Sequence, residues 1–265
     1  MTTDALTIFK ENQKKSWGLF APIEIFTTIP AASLVNFSGA KSGQKLLDVG
    51  CGTGVVAITA ARLGAHVSAL DLSPALIERA QENADIAEVK VNFQEGDVES
   101  LPYADGSFDV VLSQFGHMFA PRPEVAIKEM LRVLKPAGTI AFSTWPPDLY
   151  VGRLFSLVAK YSPAPEWVSP PTLWGDPNFI RQQLGNLVEN LTFDQGTMLF
   201  TALSFGHYRK SVESTIGPVV KLLQEAKDNP EKLNQFRKEL EKLACNYFID
   251  NHFKQHFLMS RAFKK

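Results

Sequence analysis

Three glycines alternate at Gly50, Gly52 and Gly54, and Asp71 follows about twenty residues further along the chain. The glycines lie between an apolar run that predicts a strand and a small-residue run that predicts a helix. Glycine lets the backbone turn sharply and lets a ligand approach without an intervening Cβ. The N-terminus of the following helix adds free N–H groups and a partial positive charge. This spacing predicts a ligand site at the carboxyl edge of a sheet.

Aspartates stand at the ends of the first three predicted strands, at Asp48, Asp71 and Asp97. A carboxylate at the position of Asp71 can accept two hydrogen bonds from a ribose diol. Asp97 could accept from an adenine amine while the Val98 N–H donates to a ring nitrogen, or it could only cap a turn. Asp48, beside the glycine turn, could hold a ligand ammonium group. The three acids together predict an adenosine-type ligand that carries a positive charge.

A dinucleotide ligand fits this pattern less well. The dinucleotide fingerprint G-x-G-x-x-G would need its third glycine at position 55, which is Val55. Asp48 would also repel a pyrophosphate placed beside the turn. An NAD-dependent oxidoreductase is therefore disfavoured.

The elements that must position these residues alternate between strand and helix from residue 44 onward. The predicted strands are Lys45–Val49, His66–Leu70, Val89–Gln94, Phe108–Ser113 and Thr139–Thr144, and the helices between them are Val55–Arg62, Ser73–Ala84 and Glu124–Leu134. This alternation predicts an α/β, doubly wound parallel sheet covered on both faces. One or two helices are expected before residue 40.

The rest of the chain predicts additions to one domain spanning 1–265. We assign 1–43 to an N-terminal helical cap, 44–145 to the core, and the proline-rich 146–190 to a lid, with helices near 149–161 and 178–187. In 191–265, strands Leu191–Leu199 and His256–Phe263 flank helices Tyr208–Ala226 and Pro230–Ala244. No internal repeat is apparent.

Composition narrows the possible partners and compartment. The 265 residues include 45% hydrophobic residues and carry a net charge of -1, with a pI of about 6.5. The near-neutral charge provides no global basic field for nucleic acid, and no polybasic run suggests an anionic membrane surface. Cys51 and Cys245 match no metal spacing and fit a reducing compartment, so no metal is expected. No signal peptide and no run of about 18 apolar residues is apparent, which predicts a cytoplasmic protein without a membrane partner.

The sequence resembles the class I S-adenosylmethionine-dependent methyltransferases over about 44–145. LLDVGCGTG resembles the first motif of the family, ALDLS the second, and GDVESLPYADGSFDVV the adenine motif and fourth strand. EMLRVLKPAGTIAFSTW resembles the helix and fifth strand that follow. The similarity is greatest to the small-molecule branch that includes the ubiquinone and menaquinone C-methyltransferases, although no quinone signature is evident outside the core. The family implies a Rossmann-like, seven-stranded, mostly parallel sheet with an antiparallel last strand.

The resemblance implies S-adenosyl-L-methionine as cofactor and methyl transfer to a small-molecule acceptor. The residues expected to bind the cofactor are Asp48, Gly50, Cys51, Gly52, Gly54, Asp71, Leu72, Asp97, Val98 and Gln114. A base is needed only if the nucleophile arrives protonated with a high pKa. His117 is then the candidate base, with local packing as its alternative role.

The aromatic content of the proline-rich segment beyond the fifth strand suits an apolar or aromatic acceptor, with packing of an exposed loop as the alternative. Trp17, Phe20, Trp145 and Tyr150 are the candidate substrate contacts, with core packing as the alternative for the N-terminal pair. A non-catalytic protein that binds S-adenosylmethionine or S-adenosylhomocysteine, with a regulatory or assembly role, is a second hypothesis.

Overall fold

A single sheet organises the chain, and the computed structural model describes residues 3–265 of it. The strands are β1 Lys45–Val49, β2 His66–Asp71, β3 Val91–Glu95, β4 Phe108–Gln114, β5 Leu134–Thr144, β6 Val188–Thr201, β7 Phe248–Ile249 and β8 His252–Lys264. Their order is β3-β2-β1-β4-β5-β8-β6, and β7 pairs with β8 outside this path. The neighbours from β3 to β5 are parallel, and β8 is antiparallel to β5 and β6. The predicted mostly parallel sheet with an antiparallel last strand is confirmed, and the two-residue β7 is an addition.

Ten α-helices surround this sheet in the described part of the chain. They are α1 Thr3–Trp17, α2 Thr28–Ser38, α3 Val55–Arg62, α4 Pro74–Ile86, α5 Pro123–Val133, α6 Tyr150–Tyr161, α7 Pro177–Leu184, α8 Phe205–Thr215, α9 Gly217–Glu225 and α10 Pro230–Ala244. A 3₁₀ segment, Gly18–Thr27, joins α1 to α2.

The sheet is buried on both faces because successive side chains of a strand point to opposite sides. Leu46 belongs to the cluster that packs beneath α2 and α3, whereas its neighbour Leu47 belongs to the larger cluster on the other face. Both residues are fully buried. The small side chains Ala57 and Ala60 are also fully buried, which lets α3 pack closely on the sheet.

The predicted helix Tyr208–Ala226 is wrong in one respect: it is two helices, α8 and α9. Ile216 between them has an extended backbone, with φ -91° and ψ 101°. Gly217 and Pro218 follow. Because proline lacks an N–H and clashes with the preceding turn, a continuous helix cannot pass through Pro218 without losing a hydrogen bond.

The β6–β8 hairpin extends beyond the rest of the sheet. The pairing of β5 with β8 ends at Thr144 and Leu258, whereas β6 continues to pair with β8 as far as Thr201 and His252. Since β8 is antiparallel, the part of β8 before Leu258 projects past the carboxyl edge of the parallel strands. This arm can therefore form a wall over that edge.

The N-terminal region contains an apolar stretch that sequence inspection missed. Residues Ala5–Ser38 are helical, and by length and composition alone they are apolar enough to cross a membrane. This is weak evidence for a span, because a core helix passes the same test. Ala31 and Leu34 on α2 are fully buried in the cluster that also contains Leu46, so packing on the sheet accounts for part of the apolar character.

Candidate functional site

A cavity of about 220 Å³ opens at the carboxyl edge of the sheet. One side, which we call the loop half, is formed by Asp48, by the turns after β1 (50–53), β2 (71–72), β3 (96–98) and β4 (114–121), and by Lys10. The other side, which we call the aromatic half, is lined by Phe20, Ile23, Phe26, Thr27, Trp145, Val151, Leu154, Phe155, Met198, Phe200, Tyr208, Val212, Thr215, Ile216, Gly217, Pro218 and Gln255.

The glycines of the first turn serve different purposes. A Cβ on Gly50 would lie 2.9 Å from the Gly116 Cα, so these two turns meet through backbone contact. A Cβ on Gly52, where φ is +54°, would meet no protein atom within 4 Å and would lie in open space, and Gly52 itself lines the cavity. Gly54 does not line the cavity, and a Cβ there would press on Ala80 and Phe93 at 3.1 Å. Only the middle glycine therefore leaves open space for a ligand.

Asp71 holds the shape of the loop half from the end of β2. Its Oδ2 accepts a hydrogen bond from the Gly52 N–H at 2.9 Å, and its Oδ1 accepts one from the Ser73 N–H at 2.9 Å. Burial raises the pKa of this carboxyl, and the backbone hydrogen bonds oppose that effect. Each oxygen keeps capacity for a further donor, because a carboxylate offers about four acceptor sites.

Asp48 is the most deeply buried acid of the site, with 1% of its surface exposed. Its Oδ2 accepts from the Ala57 N–H at 3.0 Å, while its Oδ1 has no hydrogen-bond partner among the described residues. Burial raises the pKa of Asp48 to about 8, and the nearby Asp71 adds to the effect. An unpaired buried carboxylate oxygen is costly, so this atom suits a positively charged donor in the cavity.

Asp97 lies at the far end of the loop half and is held by a cation from the N-terminal helix. The ammonium group of Lys10 bridges Asp97 Oδ2 and Glu99 Oε2. Glu99 is itself buried and also pairs with Arg122 at 2.8 Å. Lys14, one turn after Lys10, pairs with a glutamate on β3. These ion pairs fasten α1 over the turn that follows β3.

The turn after β4 joins the two halves of the cavity. The Gln114 Nε2 donates to the Thr27 carbonyl at 3.1 Å, and its Oε1 has no partner among the described residues. Phe115 adopts a left-handed backbone, with φ 57°, which is strained for a bulky side chain. Its ring stacks on Trp145 with centroids 4.0 Å apart. The conformation of this turn thus places an aromatic pair at the boundary between the halves.

His117 borders the cavity but is fully buried. Neither ring nitrogen has a hydrogen-bond partner among the described residues. The ring lies 4.6 Å from Phe142 and 4.8 Å from Trp174, measured between centroids. Burial lowers the pKa of His117 to about 3. Its role as a base stays a prediction, and this environment favours the packing alternative.

Three of the four predicted substrate residues line the cavity. Phe20 and Trp145 line the aromatic half, and Trp17 lines the cavity beside Phe119, with their ring centroids 4.5 Å apart. Tyr150 does not line the cavity. It lies behind Tyr208, and the two hydroxyl groups form a 2.6 Å hydrogen bond.

Of the predicted cofactor residues, all except Gly54 line the loop half. Cys51, Leu72, Val98 and Gln114 join the aspartates and the other two glycines there. Sequence inspection missed Lys10, Tyr208 and Gln255 as cavity residues. Lys10 and Lys14 stand four residues apart, which places both on one helix face, and this spacing could have indicated their shared role.

The comparisons with known proteins find similarity to methyltransferases. Residues 47–142 match the model of a methyltransferase domain family. An uncharacterized protein of Mycobacterium bovis is 33% identical over 235 residues, which cover 87% of this chain and 85% of that protein. The malonyl-[acyl-carrier protein] O-methyltransferase of Erwinia billingiae is 36% identical over 132 residues, or 49% of each protein.

A solved structure shares the fold at low sequence identity. Phosphoethanolamine N-methyltransferase 2 of Haemonchus contortus, in complex with S-adenosyl-L-methionine, has a TM-score of 0.55 and 15% identity. The match covers 89% of this chain and 52% of that one.

Proposed function

The chain belongs to the class I S-adenosylmethionine-dependent methyltransferases, and we propose that it methylates a small, mainly apolar or aromatic molecule. The enzyme uses S-adenosyl-L-methionine as its cofactor. One observation carries the proposal for the acceptor: no side chain of the aromatic half is charged. An acceptor that carries a phosphate, a carboxylate or an ammonium group would find no counter-ion there.

Three features of the loop half suit the cofactor. The open space at Gly52 leaves room for close approach to the backbone. The unpaired Asp48 Oδ1 suits the ammonium group of the methionine part, and Asp71 at the end of β2 suits the ribose diol. We further assign Asp97, after release from Lys10, to the adenine amine. When bound, the cofactor supplies an electrophilic methyl group on a sulfonium centre.

The contribution of the protein to catalysis is then alignment and exclusion of water. The aromatic half surrounds the acceptor with apolar side chains, which keep water from the reacting atoms. No group there can take a proton near neutral pH, and His117 is too weak a base. We therefore propose an acceptor atom that carries no proton or ionises readily by itself, such as a thiol.

A filled acceptor side would have favoured the non-catalytic hypothesis. The residues of the aromatic half instead surround open space in the cavity. The family membership and the open cavity both favour transfer over mere binding.

Transfer of a tritiated methyl group from S-adenosylmethionine would test the acceptor class. We would compare aromatic thiols with phosphoethanolamine, a protein mixture and duplex DNA at equal concentrations. Label should enter the apolar products that extract into organic solvent. Transfer only to phosphoethanolamine, protein or DNA would contradict the proposal. Calorimetry with S-adenosylmethionine, S-adenosylhomocysteine and NAD would check the cofactor separately, and we expect binding of the first two only.

A further inference from the structure

A polar side chain interrupts the buried face of β8 where it projects beyond the sheet. Phe253, Gln255 and Phe257 alternate along the strand and therefore share one face. The two phenylalanines are fully buried, and Gln255 is 94% buried because only 6% of its surface is exposed. An alternating strand of this kind would ordinarily carry a third apolar residue at this position.

The surroundings of Gln255 are the wall of the aromatic half. Phe253 stacks on the Tyr208 ring with centroids 3.8 Å apart, and Phe257 packs edge-on against Phe115 at 5.6 Å. On the neighbouring strand, the residue in register with Gln255 is Met198, which also lines the cavity. Gln255 thus lines the cavity between aromatic neighbours.

The amide of Gln255 has no hydrogen bond with any residue that the structure describes. Its nitrogen and oxygen are not among the fully enclosed unpaired atoms of the described residues, so they stay accessible to water or to a ligand in the cavity. Two other buried polar groups of the aromatic half are paired: the Tyr208 hydroxyl accepts from Tyr150, and Thr215 donates to a backbone carbonyl of its own helix. Gln255 is therefore a group that a ligand in the cavity could satisfy.

Resting on the proposed function, we propose that Gln255 recognises the acceptor by hydrogen-bonding a neutral hydroxyl or carbonyl group on an otherwise apolar molecule. An amide both donates and accepts, so it can pair with either group. It carries no charge, so it would not offset the desolvation of a carboxylate or ammonium group in this cavity. Gln255 is thereby a specificity-determining residue that lies outside the cofactor motifs.

Matched naphthalene probes would test this inference on the full-length enzyme saturated with S-adenosylhomocysteine. The probes are 1-naphthol, naphthalene, 1-naphthoate and 1-naphthylmethylammonium, which differ in one substituent, and binding is measured by saturation-transfer NMR titration. We expect 1-naphthol to bind about threefold to tenfold more tightly than naphthalene, as one neutral hydrogen bond allows, and both ions to bind more weakly. Equal affinity for 1-naphthol and naphthalene, or a preference for an ion, would overturn the proposal.

The substitution Gln255→Leu separates recognition from a structural role. The variant should lose the preference for 1-naphthol over naphthalene, and in the ligand-free protein its Tm should stay within about 2 °C of wild type because the replaced amide is accessible to water. The matched control is Gln195→Leu, at an exposed position on the same hairpin that does not line the cavity. The control should keep the 1-naphthol preference.

A lower Tm for Gln255→Leu together with an unchanged preference would show that the side chain is structural and would overturn the proposal. Calorimetry with S-adenosylhomocysteine distinguishes the two levels of inference. Failure of the wild-type protein to bind S-adenosylhomocysteine would count against the proposed function itself. Normal binding with no probe preference would remove only the role of Gln255.

Discussion

The two halves of the cavity are built on different principles. The loop half gathers backbone N–H groups and carboxylates at the ends of four adjacent strands, so its residues occur in short motifs. The aromatic half is assembled from the 3₁₀ segment, α6, β6, α8 and β8, which lie far apart in the chain. The loop half contains three aspartates and one lysine, whereas the aromatic half contains no charged side chain.

This difference indicates how the work of the enzyme is divided. The loop half offers fixed hydrogen bonds and one unpaired carboxylate oxygen, which suit a ligand of constant structure. The aromatic half offers apolar contact surface and excludes water. These properties suit an apolar ligand that is recognised by its shape. Substitutions in the loop half should therefore change cofactor affinity, and those in the aromatic half should change acceptor choice.

The largest effect is expected from Gly52→Val. A Cβ at this position would meet no other protein atom within 4 Å, and Gly52 lines the loop half, so valine would occupy space that a ligand needs. We expect the affinity for S-adenosylmethionine to fall at least about 100-fold, or about 2.7 kcal/mol, in calorimetry. Retained affinity in a folded variant would mean that the ligand does not approach this glycine.

Gly39→Val is the matched control for Gly52→Val. Gly39 also has a positive φ, +72°, and open space around its Cβ position, but it does not line the cavity. Both variants carry the backbone cost of a side chain in the left-handed region, about 1–2 kcal/mol. Only the Gly52 variant should lose cofactor affinity, so the pair separates strain from ligand contact.

Asp71→Asn should have the next largest effect. The amide can accept through one oxygen only, so it cannot keep both hydrogen bonds to the Gly52 and Ser73 N–H groups and also serve a ribose diol. We expect about a tenfold to 100-fold loss of S-adenosylmethionine affinity by calorimetry. Asp109→Asn is the control, because Asp109 accepts from the Lys45 N–H away from the cavity. An equal loss in both variants would point to general destabilisation.

The loop half and its scaffold could be predicted well because local sequence determines them. β1 and α3 have the predicted ends, since apolar and small-residue runs bounded by a glycine turn specify both elements. Parallel strands bring their carboxyl ends to one edge, so acids at three strand ends were expected to meet. Their ligand roles remain proposals, but all three acids line one cavity.

The aromatic half could not be predicted in the same way because it depends on long-range packing. Tyr150 belongs to an aromatic-rich segment, but only the packing of α6 against α8 and β8 decides that it lies behind Tyr208. Gln255 escaped notice because the predicted last strand began at His256, four residues after the observed start. Once β8 begins at His252, its alternation places this amide on the buried face.

Asp48 should make cofactor binding depend on pH. Its pKa of about 8 leaves the carboxyl neutral at lower pH in the ligand-free protein, whereas an ammonium group is attracted to the ionised form. Affinity for S-adenosylmethionine should therefore rise between pH 6 and 7.5, by up to about tenfold per unit if binding releases one proton.

Calorimetry in buffers of different ionisation enthalpy would count that proton. Asp48→Asn should bind more weakly above pH 7 and lose the pH slope. In the ligand-free wild type, the folded-state pKa lies above the unfolded value. The free energy of unfolding should then fall as pH rises from about 4 to 8. A wild-type affinity that does not change with pH would remove Asp48 from contact with the ammonium group.

The smallest effect on turnover is expected from His117→Phe, at the boundary between the halves. With its pKa lowered to about 3 and its ring packed between Phe142 and Trp174, His117 should act as an aromatic filler. Turnover of the variant should stay within about twofold of wild type, and the pH–rate profile should be unchanged. A tenfold loss of turnover with normal stability would restore the base.

The same substitution should change stability in a way that depends on pH. Because the folded-state pKa of His117 is below the unfolded value, wild-type stability is lost as pH falls below about 6.5. Replacing the imidazole removes this loss, which amounts to about 2 kcal/mol at pH 5. Urea unfolding at pH 5 and pH 8 should show His117→Phe gaining relative to wild type at the lower pH. A difference between the proteins that is equal at both pH values would mean that the imidazole is not kept neutral by burial. In that case the turn after β4 would be accessible enough for His117 to exchange protons. The aromatic half would then border an ionisable group, and its separation from the charged loop half would be incomplete.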